Sequence, residues 1–364
     1  MSLALRRAAG SLLVVGLSGT ELTGLERAWL QLVRPAGIIL FRRNITDARQ
    51  THALLSEATS LCAAHSFRCV DVEGGTVDRL RDVLMPMPSA QAVARTGNEK
   101  LMREHGELIG HAVKAFGFNT TLAPVLDLAL PASAQVMGTR AAAPNAEGVV
   151  AYARNFLSGL RAQGVAGCGK HFPGLGGGAL DSHLATPSIH RSLRELDHED
   201  LVPYRELRDE LSMIMVNHAS YPDTQGKNLP ASASRYWITK VLRERIGYQG
   251  IIFSDDLEMG GILKFLPIED AAVAAIRAGM DLLEVCHSPE LILRAYESLI
   301  GEAERSVAFR RLLLRRANRN TGMRKNLLVN GVARALTDKQ FEALRGRMRR
   351  YAELILKAQE IRPI

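Results

Sequence analysis

The stretch "GIIFSDDL", residues 250–257, climbs through an apolar run and ends in two adjacent carboxylates. It is too short for a membrane span and too apolar for a surface strand, and its form suits a fully buried strand whose last residues reach a working surface. The same form recurs along the chain. Other apolar runs are "LLVVGL" (12–17), "AGIILF" (36–41), "FRCVDVEGG" (67–75), "FNTTLAPVLDLA" (118–129), "VAGCGKHFPG" (165–174), "LSMIMVNHAS" (211–220) and "DLLEVC" (281–286). Stretches with helical periodicity separate them, at 21–34, 46–65, 89–116, 145–163, 195–210, 234–246 and 268–278. Parallel strands each need a crossover, so eight strands alternating with helices predict an α/β protein, a (β/α)8 TIM-type barrel.

Chemistry gathers at the ends of these runs: Asp71 and Glu73, Asp127, Lys170 and His171, His218, Asp255 and Asp256, Glu284. In such a barrel the strand ends converge on one face, the face that carries the active site. Each carboxylate taken alone could be a helix N-cap; six strand ends together point to a site.

Length and composition agree. The chain has 364 residues, 47% of them hydrophobic and only 5% aromatic, which suits one barrel of about 250 residues with additions. The expected division is a barrel at 1–300 and a basic helical extension at 301–364, packed on the barrel or trailing it. The net charge of +8 sits in that extension, where sixteen basic side chains face six acidic ones. The rest is close to neutral. "RRLLLRRANRN" and "LRGRMRRYAELILKAQE" read as amphipathic helices with solvated basic faces, and with no aromatic interleaving or zinc-knuckle spacing no nucleic-acid partner is expected. Cys62, Cys69, Cys168 and Cys286 form no C-x-x-C pair, three lie in apolar runs, and a reducing compartment is expected. The run after Arg6 and Arg7 lacks a small-residue cleavage pattern, and no apolar stretch reaches the roughly 20 residues a bilayer requires. A cytoplasmic protein, monomeric and without a membrane partner, is the expectation.

Five ordered segments, "DVEGGTVDRL" (71–80), "LAPVLDL" (122–128), "GTR" (138–140), "KHFPG" with "DSH" (170–183) and "FSDDLEM" (253–259), resemble glycoside hydrolase family 3, in particular its bacterial β-N-acetylglucosaminidase branch. The resemblance implies a retaining exo-glycosidase that releases terminal β-linked N-acetylglucosamine from peptidoglycan fragments, needing no cofactor and no metal. Carried over residue by residue, it implies Asp255 as nucleophile, His183 as general acid/base oriented by Asp181, and Asp71, Arg79, Arg140, Lys170 and His171 as sugar-binding residues.

The chemistry of the residues is compatible with those roles. A retaining glycosidase needs a carboxylate at the anomeric carbon and a second group that gives and retakes a proton. Successive strand residues alternate in direction, so only one of Asp255 and Asp256 is expected to face the sugar. An imidazole titrates near neutral pH and can serve in both proton transfers. Glu73 and Asp127 are expected to brace the arginines and the lysine, and His218 to support from behind. Where the family pattern continues His-Gly-Asp-Thr after "KHFPG", this chain has Leu175, Gly176, Gly177 and Gly178. Those glycines, with Gly174, are expected to give a loop bearing His183 freedom to move.

Three other readings compete. The family also holds β-glucosidases and xylosidases. The altered loop would suit a sugar-binding homologue with weak catalysis. His171, His183, His218 and Asp255 could line a zinc site, although the H-x-H start of common metal-dependent barrels is missing.

Overall fold

The computed structural model describes residues 3–178, 187–227, 229–328 and 335–360. Eight parallel strands close into a barrel: β1 Leu13–Gly16, β2 Gly37–Leu40, β3 Phe67–Val70, β4 Thr120–Thr121, β5 Ala166–Phe172, β6 Met213–Val216, β7 Ile251–Asp256 and β8 Leu282–Val285. Closure pairs β8 with β1, Leu13 opposite Leu283 and Val14 opposite Glu284. Each apolar run of the sequence supplies one strand of the barrel.

The runs show no polar alternation because both faces of the sheet are covered. Val14, Ile39, Cys69, Cys168, Met213, Met215, Ile251 and Phe253 point inward and fill the barrel. Their strand neighbours Leu13, Val15, Ile38, Leu40, Ile214 and Ile252 point outward and join the larger core beneath the helices. All four cysteines are free and buried among these apolar contacts.

Two runs are broken where the backbone must change course. In 67–75, β3 stops at Val70 and a small hairpin, Val72–Gly74 with Val77–Asp78, stands over the barrel mouth. Gly74 and Gly75 take φ of 84° and 64° there, the left-handed region that side chains disfavour. In 118–129 only Thr120 and Thr121 pair as strand, because Pro124 has no N–H for a ladder. Thr121 Oγ1 compensates by accepting from Val72 N and donating to Val72 O, both at 3.1 Å.

Helices follow the strands as their sequence periodicity indicates. The first, Gly24–Val33, starts in a capping box in which Thr23 and Glu26 satisfy each other's backbone N–H. The stretch 195–210 divides into Leu193–His198 and Val202–Glu206, with Pro203 at the start of the second.

Residue 300 lies inside the helix Pro289–Arg305 that follows β8. The next helix, Val307–Leu327, closes the barrel end away from the strand carboxyl termini. Asn320 Nδ2 donates to Ser11 O at 2.8 Å, and Arg324 Nη1 to Ala64 O at 2.9 Å. Helix Asp338–Glu360 lies against helix Glu99–Ala115, with Tyr351 donating to Leu101 O at 2.7 Å and Phe341 beside Phe116. Helices Val307–Leu327 and Asp338–Glu360 thus both pack against the barrel or its surrounding helices. No helix among the described residues is long and apolar enough to cross a membrane.

Candidate active site

A cavity of about 400 Å³ opens at the carboxyl ends of the strands. Asp71, Arg79, Arg140, Lys170, His171 and Asp255 all line it, joined by Asp256 and Glu284. Six of the eight residues assigned site roles from sequence therefore meet in one place. The other two, Asp181 and His183, lie outside the described residues.

One side of the cavity is an ionic lattice. Arg140 Nε and Nη2 each reach a Glu73 oxygen at 2.8 Å, and Lys170 Nζ bridges Glu73 at 2.7 Å and Asp71 at 2.9 Å. Arg79 Nη2 stands 3.4 Å from the second Asp71 oxygen. Burial disfavours the charges of Asp71, Glu73, Lys170 and Arg140, but their partners outweigh it. Asp71 is held below its ordinary pKa, Glu73 well below, while Lys170 and Arg140 are held above theirs. The cations are thus fixed in charge and direction before any ligand arrives.

Lys170 and His171 are consecutive, yet both face the cavity. The β5–β6 register explains this: Gly169 pairs with Ile214 and Phe172 with Val216, three residues against two, so an extra residue bulges into the mouth. His171 is then oriented by Asp127. Asp127 Oδ2 accepts from His171 Nδ1 at 2.6 Å and from its backbone N at 3.1 Å, while Oδ1 accepts from Leu175 N at 2.6 Å. Asp127 therefore braces the histidine and the following loop, and not the arginines or the lysine; Glu73 braces Arg140 and Lys170, and Asp71 pairs with Lys170 and Arg79. With Nδ1 donating, His171 keeps Nε2 for a ligand.

The same device corrects the expectation for Asp255 and Asp256. Phe253 pairs with Leu282 and Asp256 with Glu284, again three residues against two, and both aspartates line the cavity. Asp256 N donates to Asp255 Oδ1 at 3.0 Å. Asp256 itself accepts from Glu258 N at 3.0 Å. Burial, with the charges of Glu258 and Asp255, pushes its carboxyl up to about 7.

His218 supports this strand from behind: its ring nitrogens meet Ser232 Oγ at 2.7 Å and Asp256 O at 2.9 Å. Among the described residues no group of three His, Cys, Asp or Glu side chains is arranged to hold a metal ion.

The glycine loop differs from its expected use. Of Gly174, Gly176, Gly177 and Gly178, only Gly174 has positive φ, 139°, and the first three are hemmed in. A Cβ at Gly174 would meet Asp200 Oδ1 at 2.7 Å, and one at Gly176 the Leu128 carbonyl at 2.8 Å. These glycines permit close docking of residues 174–178 against the barrel. Leu175, where the family pattern has a polar residue, is buried and forms part of the cavity wall.

Glu284 was legible only as a polar strand end. The inward register Leu282, Glu284, Cys286 was the signal that places it within the barrel mouth.

Residues 5–312 match the model of the glycosyl hydrolase family 3 N terminal domain. A beta-hexosaminidase of Thioalkalivibrio sulfidiphilus is 39% identical over 301 residues, covering 80% of this chain and 85% of that protein. A solved family 3 beta-N-acetylglucosaminidase from Paenibacillus superposes with a TM-score of 0.86 at 29% identity, over 96% of this chain and 69% of that one. NagZ from Neisseria gonorrhoeae, solved with N-trifluoroacetyl-D-glucosamine, gives a TM-score of 0.75 at 28% identity, over 96% and 98% of the two chains. The barrel, the cavity and these matches together show that the chain belongs to glycosyl hydrolase family 3, among relatives that are beta-hexosaminidases.

Proposed function

We propose that this chain is a retaining exo-glycosidase that hydrolyses terminal, non-reducing β-linked N-acetylglucosamine from muropeptide fragments of peptidoglycan within the cell. The observation that carries the reading is the position of Asp255 at the end of β7, in one cavity with Asp71, Lys170 and Arg140, whose cations Glu73 ties together. The relatives named beta-hexosaminidase, and the neighbour solved with an N-acylated glucosamine, support the choice of sugar.

In this mechanism the lattice receives the sugar hydroxyls with donors and acceptors whose charges are already fixed, so little reorganisation accompanies binding. Asp255 attacks the anomeric carbon as its bond to the leaving oxygen breaks, and the imidazole of His183, oriented by Asp181, passes its proton to that oxygen. The product is a glycosyl ester on Asp255. His183 then takes a proton from water, the water oxygen attacks the anomeric carbon, and the ester bond breaks to restore Asp255 with overall retention. A chromogenic β-N-acetylglucosaminide tested beside the β-glucoside and β-xyloside decides the sugar. Preference for the N-acetylated substrate by about tenfold or more is expected; equal or better cleavage of the others overturns the choice.

A further inference from the structure

Glu284 is a buried carboxyl with no hydrogen-bond partner among the described residues. It lines the cavity from β8, 2% exposed, and no hydrogen bond to either of its carboxyl oxygens occurs among the described residues. Oε1 is closed off from solvent and unsatisfied. Its backbone, by contrast, is fully used: N donates to Ser254 Oγ at 2.9 Å and O accepts from Leu257 N at 2.9 Å. The side chain is thus held in place by its strand while its polar end is left over.

Buried polar groups without partners are uncommon, and one that faces a ligand cavity is explained if the ligand supplies the partner. The charges nearby decide which form the carboxyl takes. Among the described residues, Asp255 and Asp256 on β7, Asp71 beyond β3, Lys170 on β5 and the thiols Cys69, Cys168 and Cys286 are titratable groups that face it. The one cation among them, Lys170, is already committed to Asp71 and Glu73. Burial, followed by repulsion from Asp256, Asp71 and Asp255, raises Glu284 well above the ordinary carboxylate range. Its surroundings therefore favour the protonated form, in which the carboxyl is a hydrogen-bond donor.

We propose that Glu284 is a specificity-determining residue that donates a hydrogen bond to an acceptor oxygen of the sugar held against Asp255. The inference rests on the glycosidase reading of this cavity. Two oxygens fit the chemistry, the acetamide carbonyl, which can only accept, and a ring hydroxyl, which can do either.

The test compares Glu284→Gln, which keeps a neutral donor, with Glu284→Leu, which keeps bulk and loses it. N-acetylglucosamine binding is measured by calorimetry from pH 5 to 9, together with kcat/KM on the chromogenic N-acetylglucosaminide and glucoside. Glu284→Leu is expected to weaken binding and kcat/KM by about 10- to 100-fold, and Glu284→Gln by only about two- to fivefold. Wild-type affinity is expected to fall as the pH rises and Glu284 ionises, and the Gln variant to lose that dependence. A loss confined to the N-acetylated sugar assigns the acetamide carbonyl; an equal loss on both sugars assigns a hydroxyl. Binding and turnover of Glu284→Leu within twofold of wild type would overturn the proposal while the glycosidase reading stands. So would a Gln variant as impaired as the Leu variant with its pH dependence intact. A wild-type protein that neither cleaves nor binds the sugar would overturn both.

Discussion

Glu73 accepts both forks of the Arg140 guanidinium at 2.8 Å and, through one of the same oxygens, the Lys170 ammonium at 2.7 Å. One carboxylate from the hairpin above β3 therefore fixes a cation from β5 and another from the 3-10 turn at Gly138–Arg140.

Removing that carboxylate leaves two buried cations short of a partner. Glu73→Ala is expected to cost about 3–5 kcal/mol of unfolding free energy. The sign with pH follows from its depressed pKa: the unfolded chain binds the proton more readily, so stability is present above about 4.5 and is lost as the pH falls below it. Urea titrations of wild type and Glu73→Gln should show a shallower acid limb in the variant. Equal slopes would mean that Glu73 does not hold its charge as described.

Asp127 accepts three N–H groups, two from His171 and one from Leu175. Asp127→Asn presents an amide that can satisfy them only through its single oxygen, and a loss of about 1–3 kcal/mol is expected. Because the ring of His171 loses its orientation, KM for the N-acetylglucosaminide should rise as well. A variant with unchanged KM would assign Asp127 a purely structural part.

The glycine loop yields a rank order. Gly174→Ala meets both an unfavourable φ and Asp200, and is expected to cost the most, about 1–3 kcal/mol or more. Gly176→Ala meets a backbone carbonyl and should come next. Gly177→Ala meets the stem of Arg191, a side chain that can move aside, and should be mildest. Thermal unfolding of the three variants checks the order, and equal, negligible losses would contradict the close docking.

The barrel was readable because its strands are buried on both faces, so "LSMIMVNHAS" and "GIIFSDDL" stand out as unbroken apolar runs. The convergence of Asp71, Lys170 and Asp255 was readable for a topological reason, since parallel strands deliver their ends to one face. What the pattern hid depends on register. Strict alternation would turn one of Lys170 and His171, and one of Asp255 and Asp256, away from the site; a single extra residue in β5 and in β7 brings in both members of each pair. The partner of Asp127 was equally hidden, because it is brought near by folding across 44 residues of chain. The use of glycine for close approach at Gly176 cannot be told from its use for flexibility until the Leu128 carbonyl is seen beside it.

His183 carries the proton-transfer part of the proposed mechanism. His183→Ala is expected to slow ordinary substrates by about 10²- to 10⁴-fold. Donors with very good leaving groups should still form the ester and then stall, and azide, which needs no base, should release a β-glycosyl azide. Uniform loss without azide rescue would place the acid elsewhere.

The most direct test is to trap the covalent intermediate. A fluorinated N-acetylglucosaminyl donor with a good leaving group should form the ester faster than water resolves it. Intact-mass and peptide mapping should then find one sugar per chain, on the peptide of β7, at Asp255. Asp255→Ala should take up none and lose turnover while still binding N-acetylglucosamine. A label on Asp256 or Glu284, or turnover in Asp255→Ala within tenfold of wild type, would contradict the account.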